Sequence, residues 1–320
     1  MGGPVPHHPD RVLQVALSGS AAARSRLAAS WRRSIEKHGL DPAEHRRPNT
    51  VSDSDLAARR AGLERFLTVT APKLDALFAL VGQSGCGVLL TDATGVVLDQ
   101  RCSDGDADTF RAWGLWTGAD WSEASEGTNG IGTCLAERRR LTIHRDEHFH
   151  ARNTAMSCMD APIHGPEGQI IAALDVSSAR ADQTEGFNRL IGAATAQFAR
   201  AIEADFFRLS YRDARIVVAE AEDDSEAVLL AVDGDDLVVG ATRGARRAFG
   251  LAATGAIVPR PARDLLGRDE GGPSGFERAE RAAVKRALAR SGGNVSAAAR
   301  ALGIGRATLY RRMKRLGLDE

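Results

Sequence analysis

The chain has 320 residues with 42 Lys/Arg against 42 Asp/Glu, and a mean hydropathy of −0.23. This size allows two or three domains, and the apolar content is that of a folded chain rather than a disordered one. No apolar run nears the ~18–20 residues of a membrane helix, and Met1–Asp10 lacks the basic flank and apolar centre of a signal peptide, so neither a membrane nor an export role is expected.

Residues 1–19 hold Pro and His without periodicity and read as a disordered N-terminus. Ser20–His38 repeats Leu27, Ala28, Trp31 and Ile35 at helical steps and stops at Gly39. Ser52–Ala71 predicts a second helix, and Pro72 restarts one that runs to Val81. This helical layer is expected to pack on a sheet. Gly87–Thr91 and Val96–Asp99, joined by Asp92-Ala93-Thr94-Gly95, predict a hairpin. Asp106–Ala112 reads as a short helix, Trp113–Asn129 as loop, Gly130–Glu137 as helix and Leu141–Ile143 as strand. Met156–Ile163 and Gln169–Val176 predict a closing hairpin, and Ala181–Tyr211 a long helix with an apolar stripe. The pattern is α+β, with N-terminal helices leading into an antiparallel sheet domain. Residues 20–212 are assigned to it. Ala227–Val232, Leu237–Gly240 and Arg243–Phe249 give strand, strand, helix within a shorter segment, 213–252. Residues 253–275, rich in Pro and Gly, read as a linker.

Residues 276–320 differ in kind. From Glu277 onward there are 11 Lys/Arg against 4 Asp/Glu, net +7, leaving 31 against 38, net −7, for the remainder. Phe276–Arg290 predicts a helix ended by Ser291-Gly292-Gly293. Asn294 or Ser296 can cap Ala297–Leu302, Gly303-Ile304-Gly305 turns, and Arg306–Leu316 follows with Leu309, Met313 and Leu316 inward. Two helices joined by a glycine turn are the helix-turn-helix plan, whose second helix enters the major groove of double-stranded DNA. The expected DNA contacts are Arg306, Thr308, Tyr310, Arg311, Arg312, Lys314 and Arg315. Arg306 at the helix start is placed to read a base, and the later cations to hold phosphates.

The stretch Gly293–Ile304 followed by Arg306–Arg311 resembles the Fis-type helix-turn-helix that closes many bacterial enhancer-binding regulators. Leu90–Gly95, Gly118–Glu123, Glu126–Thr133, Glu147–Phe149, Ala161–Ile163 and Leu174-Asp175 resemble the sensory half of acetoin-catabolism regulators of the AcoR type. Ser30–Ser34 and Gly39–Pro42 fit its opening. That resemblance, over roughly residues 30–207, implies a GAF domain preceded by helices, and with it a small-molecule effector. Residues 213–252 resemble the start of a PAS-like module, too short to close one, either a remnant or a working piece. Regulators with both ends usually carry an ATPase between them. Here no GxxxxGK[ST] occurs, nor the loop by which such ATPases engage sigma-54. The expectation is a DNA-binding transcription regulator that acts by recruitment, repression or a partner, with RNA polymerase or a second regulator as candidates. A single helix-turn-helix covers half a site, so a homodimer is expected. The resemblance implies pairing through Phe276–Arg290, and Ala181–Tyr211 can add to it.

Ligand contacts are expected from Trp121, Asn129, Thr133, His148 and Cys158, between the sheet and the Trp113–Thr133 loop. His144, His148 and His150 with Cys158 hold the ligand types of a metal or haem site, or a redox thiol, which keeps open a metal, haem or redox sensor with DNA-binding output. HExxH is absent, and the plainer reading lets His148 and Phe149 shape the pocket. No nucleophile, base and oxyanion set assembles, so no enzyme, metal or cofactor is expected. Cys86, Cys102, Cys134 and Cys158 are scattered without a CxxC pair, which fits a reduced, cytoplasmic protein.

Overall fold

A computed structural model describes residues 7–178, 180, 184–219, 227–267 and 275–318. It separates into two units, Met1–Leu265 and Leu266–Glu320.

In the first unit, apolar β-branched runs make five strands: β1 (Cys86–Thr91), β2 (Val97–Arg101), β3 (Leu141–His144), β4 (Ser157–His164) and β5 (Ile170–Ser178). They pair antiparallel in the order β2-β1-β5-β4-β3. Period-two alternation then sorts the side chains. Val88, Leu90, Met159, Ala161, Leu174 and Val176 face one way and are buried. Two helices cover them, α5 (Glu64–Val81) through Phe66, Leu74 and Leu77, and α9 (Glu185–Ser210) through Ile191, Ala199 and Ile202. Each fully buried Leu or Ile there contributes about 1.5–3 kcal/mol. The opposite face carries Leu89, Cys158, Asp160, Asp175 and Ser177. It is covered by α6 (Ala107–Trp113), α7 (Glu123–Glu126), α8 (Gly130–Glu137) and the loop between α6 and α7.

The remaining helices are α1 (His8–Ala16), α2 (Ala21–Arg24), α3 (Arg26–Glu36) and α4 (Asp53–Gly62). Residues 8–16 are thus helical, not disordered as expected for 1–19; residues 1–6 lie outside those described. Pro9 in the first turn is the missed start signal. Val12 and Ala16 are fully buried against Trp31 and Phe149, and this packing supplies the stability that so short a helix lacks alone. The expected Ser20–His38 helix breaks at Ser25, whose hydroxyl caps α3 by accepting from the Ala28 N–H at 3.4 Å. The helix expected to restart at Pro72 instead breaks at Leu63, after Gly62, and Pro72 lies inside α5. Burial of Leu74, Leu77 and Val81 beyond it offsets the lost hydrogen bond. Of the expected helical layer, α5 packs on the sheet. In contrast, α3 packs on α1 and on the Glu123–Thr128 turn.

A second sheet follows α9 in the order β6-β7-β8-β9: β6 (Arg215–Val218), β7 (Leu229–Val232), β8 (Leu237–Ala241) and β9 (Arg260–Pro261). It is larger than the strand-strand-helix segment read from 213–252. Arg260–Pro261, expected in the linker, pairs with β8, and α11 (Ala262–Leu266) follows; residues 220–226 and 268–274 lie outside those described. Helix α10 (Arg243–Ala248) carries Arg246, which is 2% exposed and donates to the carbonyls of Ala241, Ala252 and Gly255 at 3.0, 2.9 and 2.7 Å. Tyr211 lies flat over Gly240, where any Cβ would enter its ring.

The second unit is three helices, α12 (Phe276–Arg290), α13 (Val295–Ala301) and α14 (Arg306–Arg315). Val284, Ala287, Ala298, Ala299, Leu309 and Leu316 form its buried core. Asn294 caps α13, its side-chain oxygen accepting from the Ala297 N–H at 3.0 Å. Gly303 takes φ 65° in the turn, a left-handed conformation cheap only for glycine. No helix among the described residues is long and apolar enough to cross a membrane.

Candidate functional site

In the second unit the reading helix is held from behind. Leu309 is buried and Met313 half-buried, so the residues at the opposite helical positions face outward. Arg306, Tyr310 and Lys314, at i, i+4 and i+8, are exposed with Arg311 beside them. The Arg306 guanidinium lies 5.5 Å from the Tyr310 ring centre, a cation–π contact that steers it along the helix. Thr308 is half-buried. Arg312 and Arg315 behave differently from the other cations. Both pair with Glu280 on α12, Arg312 at 3.1 Å. Their charges are partly spent inside the unit, where they brace α14 against α12. The seven expected DNA contacts thus divide into an exposed stripe, a half-buried threonine and two braces.

In the first unit the five expected ligand residues all lie on or beside the face covered by α8, and all are buried. Most have protein partners. Trp121 packs with Leu89, Phe110 and Ile131, and its ring N–H donates to the Gly114 carbonyl at 2.8 Å. Asn129 caps α8, accepting from Gly132 N–H at 2.8 Å and donating to the Gly127 carbonyl at 2.9 Å. The Thr133 hydroxyl donates to Glu123 at 3.3 Å. His148 and Cys158 do meet, ring Nε2 to Sγ at 3.4 Å, while His148 Nδ1 donates to the Arg145 carbonyl at 2.9 Å. Burial pushes the Cys158 thiol well up and the His148 ring down to about 4, so the pair is thiol and neutral imidazole. That is an inert state for a thiol, not a nucleophile or ligand. His144 turns to Ser157 at 2.7 Å, and His150 packs edge-on against Phe149. Among the described residues no three His, Cys, Asp or Glu converge on one point.

What the sequence reading missed lies one residue pair further along the strands. Asp160 on β4 and Asp175 on β5 are cross-strand partners, 2% and 0% exposed. Ser177 donates to one Asp175 oxygen at 2.7 Å and to Cys158 Sγ at 3.1 Å. Both Asp160 oxygens and the second Asp175 oxygen meet no N–H or hydroxyl among the described residues, and the two carboxyls bond each other through a retained proton. Desolvation raises both carboxyls, Asp175 to about 7 and Asp160 well above the ordinary range, and their mutual repulsion adds to Asp160. A Cβ at Gly130 would collide with the Asp160 carboxylate, so glycine there lets the start of α8 close over the pair. The signal was present in period two: Cys158, Asp160, Asp175 and Ser177 share one face once the hairpin register is known.

The opening motif has a clear role. Ser30 bonds Glu123 and Thr128, both at 2.8 Å, and Arg33 forks onto the Glu123 carboxylate at 2.5 and 2.6 Å. Trp31 donates to the Glu147 carbonyl at 2.8 Å. Helix α3 therefore clasps the turn that leads into α8.

Comparisons with known proteins agree with both units. Residues 275–316 match the bacterial regulatory protein Fis family, and residues 66–202 match the GAF domain. The acetoin catabolism regulatory protein of Cupriavidus necator is 32% identical over 243 residues, 75% of this chain and 36% of that protein. The acetoin dehydrogenase operon transcriptional activator AcoR of Bacillus subtilis is 29% identical over 157 residues, 49% of this chain and 26% of that protein. The chain thus spans about a third of these relatives' length. The E. coli DhaR(N)–DhaL complex contains a chain of the same fold, with TM-score 0.52 at 15% identity, covering 74% of this chain and 80% of that one. The chain carries a GAF domain and a C-terminal Fis-type helix-turn-helix and is related to proteins named as acetoin catabolism regulators.

Proposed function

We propose that the protein is a sequence-specific DNA-binding regulator of transcription whose GAF unit senses a small molecule. The observation that carries the first half is the exposed stripe of Arg306, Tyr310, Arg311 and Lys314 on a helix whose other side is buried. Arg306 lies at the end that enters the groove first and reads a guanine edge with its two-pronged guanidinium, while Thr308 meets a phosphate or a thymine methyl. Arg311 and Lys314 hold phosphates, and Arg312 and Arg315 add charge behind them. Two copies bind a two-fold site, pairing through α12, whose Phe276 is 96% exposed.

The effector is held on the α8 face of the first sheet. Three buried carboxyl oxygens that no N–H or hydroxyl of the described residues reaches support this, because a bound molecule's donors would supply what the chain does not; between themselves the two carboxyls share only a proton. Trp121, Asn129 and Thr133 shape that site from behind rather than touching the ligand first, and His148 and Cys158 border it. The protein acts by recruitment, repression or a partner such as RNA polymerase. These 320 residues hold no GxxxxGK[ST], and phosphate release from ATP above background by pure protein would contradict this part.

The test is fluorescence anisotropy on a selected operator and on random duplex across a salt series. Arg306→Ala should cost about 1–3 kcal/mol on the operator and relax preference at one position. Lys314→Ala should weaken both DNAs alike and lower the salt slope by roughly one. Equal loss on both DNAs for Arg306→Ala would show that this residue does not read a base, and no binding to any duplex would end the proposal.

A further inference from the structure

We infer a second ligand site in the first unit, for a compact polyanion carrying phosphate or carboxylate groups, where the end of α8, the middle of α9 and the start of α10 meet. It stands independently of the effector site on the α8 face. A cavity of about 350 Å³ opens there, in the size range of small-molecule pockets. Ala161, Ala196 and Ala199, all nearly fully buried, form its floor, so small side chains leave the space. Arg138, Arg140, Arg200 and Arg243 stand round it. Glu203 is the carboxylate lining it, and one of its oxygens, Oε1, is held by His164, through the ring at 2.7 Å and the backbone N–H at 2.6 Å. Among the described residues no carboxylate pairs with Arg138, Arg140 or Arg200.

Two further observations point the same way. The first 276 residues carry net −7, yet the cations in this concavity outnumber its acids several-fold. Like charges gathered round a concave, partly desolvated surface repel, and an anion is what relieves them. Secondly, Arg138 takes φ 54°, at the left-handed position closing α8 where glycine is the ordinary residue. Holding a side chain there is strained, and such strain is typical of residues kept for their chemistry. A neighbouring cavity of about 730 Å³ shares Arg138, His164 and Arg243 and adds Arg246 and Arg247. Arg246 is fixed there by its three carbonyl acceptors. The guanidiniums come from both sheets' helices, so a bound polyanion would tie the two sheets together. The space is too small and too concave for a duplex, which separates it from the tail.

The test is calorimetric titration of the full chain at 150 mM NaCl with inorganic pyrophosphate in one arm and citrate in the other. Saturable binding of at least one is expected, and the arm that binds tells phosphate from carboxylate. Arg200→Gln, and separately the surface pair Arg138→Gln/Arg140→Gln, should each weaken it about tenfold or more with unchanged far-ultraviolet spectra and melting. Arg311→Gln/Lys314→Gln should leave it intact. No saturable binding of either anion would overturn the inference. So would binding that survives both cavity variants, or that vanishes with the tail variant.

Discussion

Asp175→Asn isolates the cost of burying one carboxyl of the pair. Unfolded, both aspartates ionise near 3.8; folded, Asp175 holds its proton to about 7, and burial raises Asp160 well above its ordinary range too. Between these values the folded state binds more protons than the unfolded one. Stability from the pair is therefore full below pH 4 and falls as pH rises to 7 and beyond. Moving Asp175 alone from 3.8 to about 7 corresponds to on the order of 4 kcal/mol at pH 8. Asparagine there keeps the size, removes the ionisable group, and can donate to the Asp160 carboxyl facing it. The variant should then melt on the order of 10 °C higher than the parent at pH 8, since about 1 kcal/mol moves the midpoint by ~2–4 °C in chains of this class. At pH 5 the two should melt nearly together. Circular-dichroism melts at half-unit pH intervals read this directly. A variant less stable at pH 8, with the parent's pH slope retained, would show that the pair is not strained by charge.

Three other outcomes follow from neighbouring features. Glu126 is fully buried with Arg152 as its ion-pair partner, and even so burial holds its carboxyl up to about 7. Arg152→Ala should cost about 3–5 kcal/mol at pH 8, less at pH 5 where Glu126 takes up a proton, and Glu126→Gln added to it should recover most of the loss in urea melts. A double variant no better than the single would contradict this. Leu309→Ala removes a fully buried side chain from the small core of the second unit and should cost about 2–5 kcal/mol, abolishing DNA binding while melting of the first unit stays put. Glu280→Gln frees Arg312 and Arg315, so affinity for all duplexes should rise together and its salt dependence steepen; weaker binding would mean that bracing α14 outweighs the added charge.

The tail was legible because local signals coincide there: two glycine stops, an Asn cap, and Leu309 and Leu316 at core spacing. What the sequence could not tell is which arginines are spent inside, since Glu280 lies 32 and 35 residues from its partners. The five strands of the first sheet were legible from their apolar runs to within a residue or two. Their face assignment was not, because strands buried on both sides show little alternation. Asp160 and Asp175 were therefore passed over in favour of Trp121 and Asn129. An indole in a glycine-rich loop reads as a pocket wall, yet its N–H is satisfied by Gly114, and Trp121→Ala would cost packing before it touched any ligand. Short elements such as α1 and β9 owe their shape to distant partners and leave little local trace.

Helix α9 has 26 residues and is about 39 Å long at ~1.5 Å per residue. As far as Ile202 it is part of one hydrophobic core, through Ile191, Ala199 and Ile202. Its last turns enter another, where Ala204 and Phe207 meet Leu229 and Ala231. A stiff rod rooted in two cores forbids either from loosening alone, because fraying at one end strips apolar cover from the other. The first unit should thus lose amide-exchange protection in both sheets at one common free energy, and a helix breaker at exposed Arg189 near its start should be felt in β7.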